Sequence, residues 1–113
     1  MNKELYIQEL ASLVRTLDFI QEEQAFIKKK LTNYIDSIDQ DSLIVWAEDI
    51  QQQILNREVA LQLIKKDIIS LKSSKIINTE LLKRDKQQIG YLEQEFLLWK
   101  HTIDKQIETI STV

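Results

Sequence analysis

Apolar residues recur alternately three and four positions apart along almost the whole chain, and that spacing permits little besides long helices packed lengthwise. The first stripe runs through Tyr6, Leu10, Leu13, Leu17, Ile20, Ile27, Leu31, Tyr34 and Ile38, with Gln24 as its only polar member. It is the a/d seam of a helix of about 35 residues, roughly 50 Å long at 1.5 Å per residue. Asn2 stands just ahead of it, where a side-chain oxygen can accept from the free amides of a first turn.

The segment Asp36-Ser37-Ile38-Asp39-Gln40-Asp41-Ser42 interrupts the stripe. Its Asp and Ser side chains bond the local backbone in competition with a helix, and Asp41 or Ser42 can cap the next one. The frame slips here as well: Ile38 and Ala47 are nine positions apart where a heptad gives seven. A slip within a cluster of capping residues predicts a turn.

A second seam reads Leu43, Ala47, Ile50, Ile54, Arg57, Leu61, Ile64, Ile68 and Leu71, again with one polar member. After Ser73-Ser74-Lys75 and Asn78-Thr79, a third reads Leu82, Asp85, Ile89, Leu92, Phe96, Trp99, Ile103, Gln106, Ile110 and Val113. The frame does not slip between these two. One continuous helix over residues 42–112 is therefore an alternative, giving a helical hairpin with one very long second helix in an intertwined dimer. A turn near 73–79 is favoured because Lys75 and Asn78 leave the seam nothing apolar to bury there. It also divides the chain into three segments of about equal length, as an antiparallel bundle with short loops requires. The predicted fold is thus all-α: an antiparallel three-helix bundle with coiled-coil-like packing, a single domain over residues 1–113, with helices at roughly 3–36, 42–72 and 79–111.

Short loops set the register. Across the first turn Ile38 should face Leu43, Tyr34 should face Ala47 and Ile20 should face Leu61. Across the second, Leu71 should face Leu82, Ile64 should face Ile89 and Ile54 should face Trp99. The polar exceptions Gln24 and Arg57 then fall at one height, with Phe96 completing the layer. A polar layer in an apolar seam lowers stability but fixes pairing, because any slip strands a buried polar group.

Composition narrows the function classes. The chain has 113 residues, no Pro, one Gly and no Cys, with 43% hydrophobic and 29% charged residues, too apolar for disorder. A net charge of −3 argues against nucleic-acid binding, which needs a basic surplus. Runs such as Lys28-Lys29-Lys30 have acidic neighbours and read as solvated helix faces. The first residues lack the apolar core of a signal peptide, and no apolar run approaches the length of a membrane span. The expectation is a soluble cytoplasmic protein with no membrane association.

No catalytic constellation emerges, and no cofactor or metal site is expected. His101 is the only histidine, and position 98 is Leu, so the Glu-x-x-His pairs of di-metal bundles are absent. A phosphotransfer-type signalling bundle using His101 is the alternative function, but Asp104 stands where such domains carry a Lys. Its carboxylate would repel a phosphoryl group. Trp46 flanks the second seam and Trp99 lies on the third, so both read as packing. The heptad pattern as a whole resembles that of many helical bundles, spectrin-type repeats and secretion chaperones among them.

The informative excess lies off the seams. Phe19 and Phe26 are one heptad apart, with Leu5 further back on their line; Tyr91 and Leu98 repeat the pattern in the third segment, and Leu55, Leu63 and Ile69 lie off the second seam. The register puts Phe26, Leu55 and Leu98 at one height. Phe19, Phe26, Tyr91 and Leu98 are the candidate partner interface. The predicted function is a non-enzymatic helical protein–protein interaction module: a homodimer, an adaptor or a small chaperone, whose partner is itself or another helical protein. If Gln24 and Arg57 only fix register, Arg57→Leu should leave the melting temperature unchanged or raise it. A large loss in a circular dichroism melt would refute that role.

Overall fold

The computed structural model describes residues 2–36 and 41–111. Three helices, α1 (Lys3–Ile35), α2 (Asp41–Ser73) and α3 (Thr79–Ser111), form an up-down-up bundle measuring 57 × 18 × 16 Å. The chain is an all-α three-helix bundle, and the long-helix alternative ends at Ser73. The predicted turn at 36–42 falls mostly on residues 37–40, which lie outside the described residues, as do Ile38, Val113 and the Ser42 side chain.

Capping explains the starts of α1 and α3. Asn2 Oδ1 accepts from the Leu5 amide at 2.7 Å, and Asn78 Oδ1 accepts from the Leu81 amide at 3.0 Å. Each such cap contributes about 1 kcal/mol. The Asn78 amide also donates to the Tyr6 hydroxyl at 3.3 Å, fastening the second turn to the first helix. Between Ser73 and Asn78 the backbone turns through Ser74, whose hydroxyl accepts from the Ile76 amide.

The seams form the core. Leu10, Leu17, Ile27, Leu31, Ile54, Ile68 and Phe96 are each at most 1% exposed. α1 packs closely against both other helices, whereas the backbones of α2 and α3 scarcely approach one another among the described residues. Long side chains span that gap: Arg57 to Glu95, Trp99 to Gln53 and Trp46 to Gln106. These three pairs share one register, a single residue from the predicted facing of Arg57 with Phe96 and of Ile54 with Trp99. α1 and α3 run parallel, so Glu9–Lys86 and Glu23–Lys100 join residues with the same separation of 77.

The third seam needs one correction. Gln106 is exposed and Ile107 takes its place at 7% exposure. An α-helix of 3.6 residues per turn drifts about 20° per heptad. Over the length of α3 that drift turns the next residue inward.

Gly90 lies in the interior of α3 on an exposed surface, and a Cβ added there would meet nothing within 4 Å. Its backbone is helical, so its freedom serves no turn. Gly90→Ala should therefore stabilise the fold by about 0.5–1 kcal/mol, read as a rise of a few degrees in melting temperature.

Candidate functional site

The polar layer divides the core. Above it one apolar cluster contains Tyr6, Leu17, Leu61, Ile89 and Phe96; below it a second contains Ile27, Leu31, Ile54 and Ile103. Gln24 sits at the division with 1% exposure, and its Nε2 has no hydrogen-bond partner. Trp99 packs against both clusters.

Gln24 and Arg57 share the height but not a bond. The Arg57 guanidinium lies 4.3 Å from the centroid of the Trp99 ring and donates from both terminal nitrogens to the Glu95 carboxylate, one bond measuring 2.9 Å. That bond, reinforced by the guanidinium charge, holds the Glu95 carboxyl below its ordinary range, against the opposing effect of burial. Trp99 Nε1 donates to Gln53 Oε1 at 2.9 Å and its ring lies 6.0 Å from that of Phe96. Arg57 thus works as an edge clamp between α2 and α3, its side chain 19% exposed. Gln53 and Glu95 escaped sequence reading because neither lies on a seam. Their one signal is that each neighbours the residue predicted to face Trp99 or Arg57.

A second polar position is Asp85, 8% exposed near the α2–α3 turn. Burial raises its pKa, Asp67 adds to the rise, and the Arg84 charge works against it. Among the described residues no three or more His, Cys, Asp or Glu side chains gather to hold an ion. His101 is exposed on α3, and Asp104, one turn on, pairs with Lys30 at 3.7 Å. The two tryptophans lie in separate places: Trp46 donates to Gln106, Trp99 to Gln53.

The off-seam apolar residues are exposed, with Phe19 at 45%, Phe26 at 61%, Tyr91 at 75% and Leu98 at 72%. The structure keeps Phe19 with Phe26 and Tyr91 with Leu98 but places the two pairs on different flanks. Phe19, Glu23, Phe26 and Lys30 form one stripe of α1, and its charged members pair with Lys100 and Asp104 of α3. That stripe borders the α1–α3 groove, and the Lys30 ammonium sits 5.7 Å from the Phe26 ring. Tyr91 and Leu98 flank Glu95, which reaches α2, so they border the α2–α3 groove. Leu55 and Leu63 line a third groove, with Gln21 and Ala25 of α1. Exposed Val45 and Val59 of α2 were missed, since neither repeats at a simple heptad from the residues singled out.

Asp85 sets a pH dependence of definite sign. Its folded pKa lies above the ordinary 3.8, so the ionised carboxylate opposes folding at neutral pH and ceases to do so once protonated in both states. Asp85→Asn should raise unfolding free energy at pH 7. The gain should shrink as pH falls through the folded pKa and vanish below the ordinary value. Denaturant titrations of both proteins between pH 3 and 7 measure it, and a gain that grows toward acid would contradict this account. No protein-family model, curated protein or solved structure matches the chain.

Proposed function

We propose that this chain is a non-enzymatic helical interaction module, acting through its outer helix faces on a second helical protein surface. The observation that supports this is the exposure of heptad-spaced apolar side chains beyond the seams. Phe19 and Phe26 on α1, Leu55, Val59 and Leu63 on α2, and Tyr91 and Leu98 on α3 all face outward. Single exposed apolar residues are ordinary on any surface, but stripes at helical spacing are what a docking helix meets. The α1–α2 groove is shallow and lined mainly by Leu, Val, Ala and Gln, with Glu58 beside them, whereas Asp67, Arg84 and Asp85 line a smaller groove by the α2–α3 turn.

Self-association is the simplest form of this activity, because most soluble assemblies are symmetric homo-oligomers. Light scattering across a wide concentration range tests it. The expected result is a mass that rises above the 13.4 kDa of one chain as concentration increases. A constant single-chain mass at every concentration would remove the self-associating form and leave a different helical protein as partner.

A further inference from the structure

α2 differs from its neighbours. α1 and α3 gather their apolar residues toward one side, whereas those of α2 are spread around its circumference although it is the most apolar of the three. A helix apolar on two sides is ordinarily covered on both. One side of α2 meets α1, and the other is open: Val45, Leu55, Val59 and Ile69 are 64%, 45%, 60% and 48% exposed. Between Ile50 and Ile64 its only charged residues are Arg57 and Glu58, engaged with Glu95 and Lys28. The outer face over those turns carries only Leu, Val, Ala, Gln and Asn.

That face has a heptad seam of its own, alternating three and four from Val45 to Ile69, a span of about 36 Å. In order, its members are apolar Val45, acidic Glu48, Gln52, apolar Leu55, apolar Val59, Gln62, basic Lys66 and apolar Ile69. Read backwards the order of types is the same, with acid exchanged for base. Every member is exposed, and neither Glu48 nor Lys66 has an ion-pair partner among the described residues.

Resting on the interaction reading above, we propose that the occupant of this face is α2 of a second copy, docked antiparallel about a two-fold axis level with Arg57. In that register Leu55 meets the partner's Val59, Gln52 meets the partner's Gln62, Glu48 meets the partner's Lys66 and Val45 meets the partner's Ile69. The two-fold axis repeats each contact, as an isologous interface requires. The alternatives are poorer. Sliding by one heptad puts Leu55 against the partner's Lys66 in one direction and Glu48 against the partner's Val59 in the other. A parallel, in-register copy sets Glu48 against Glu48 and Lys66 against Lys66. The charges therefore select one arrangement by repelling or stranding the others. The groove beside the seam, lined by Gln21, Ala25, Leu55, Val59 and Leu63, leaves room for flanking side chains of the incoming helix.

Because the contact is self-complementary, charge exchange tests it without removing any core residue. Wild type, Glu48→Lys, Lys66→Glu and the double variant are compared by sedimentation at low salt, where surface charge pairs act most strongly. Wild type should dimerise. Each single reversal should weaken dimerisation about tenfold, since two symmetric contacts change sign together. The double variant should recover wild-type association, and so should an equimolar mixture of the two single variants. Leu55→Asp should give a monomer with the helical circular dichroism spectrum of wild type. A wild type that stays monomeric overturns this docking and the self-associating form of the function together. A wild-type dimer indifferent to the single reversals, or a double variant no better than either single one, overturns the α2 docking alone.

Discussion

α3 is held to α2 by Trp99. The two helix backbones hardly approach one another, and the indole, packed against both halves of the core, fills the space between them. Its Nε1 is satisfied by Gln53, which lets so large a ring sit half-buried without an orphaned donor. Arg57 covers its outer face and ties down Glu95, closing the edge against water. Each of these contacts is modest alone, since Glu95 is 44% exposed on its side chain and an exposed ion pair contributes at most about 1 kcal/mol. Together they define one lateral spacing of α2 and α3, and through it the depth at which α1 sits.

α1 carries the consequence. It packs on both partners, so nearly every seam residue from Tyr6 to Leu31 is buried, and Gln24 is buried with them. Its unpartnered Nε2 marks where the core changes from one cluster to the other. An orphaned amide of this kind costs about 1–3 kcal/mol. That penalty falls in the native register itself, so no bond to Gln24 selects the register; the ties that mark it are those of Arg57 with Glu95 and of Trp99 with Gln53.

The seams were legible because burial on one side of a helix imposes a period, and a period survives in sequence. Leu10, Ile54, Ile89 and Phe96 needed nothing further. The turn near Ser74–Asn78 was legible too, because Lys75 and Asn78 broke the apolar period without shifting it. Two things were not. A heptad fixes the angle of a side chain about its own helix, but not whether α3 lies to the left or right of the α1–α2 pair. Mirror arrangements bury the same seams, so Phe26 and Leu98 could be placed at one height but not on one flank. The ion pairs of Glu23 and Lys30 with α3, and of Glu95 with α2, decide it. The other was helical drift, invisible over two heptads and large enough over α3 to exchange Gln106 for Ile107.

The same geometry explains why the outer face of α2 is the one left apolar. The outer pole of α1 carries Arg15, Glu22 and Lys29, and that of α3 carries Gln94, His101 and Lys105 around Tyr91 and Leu98. On α2 the outer face between Ile50 and Ile64 carries no charged residue, since Arg57 and Glu58 turn toward Glu95 and Lys28. A second copy placed there would have its axis level with Arg57, at the height where the core divides and Trp99 spaces α2 from α3. Association and bundle closure would then bear on one cross-section of α2 from opposite sides. Anything that binds the folded chain and not the unfolded one stabilises it by mass action. A contact at that height would therefore reinforce the bundle where its own packing is interrupted.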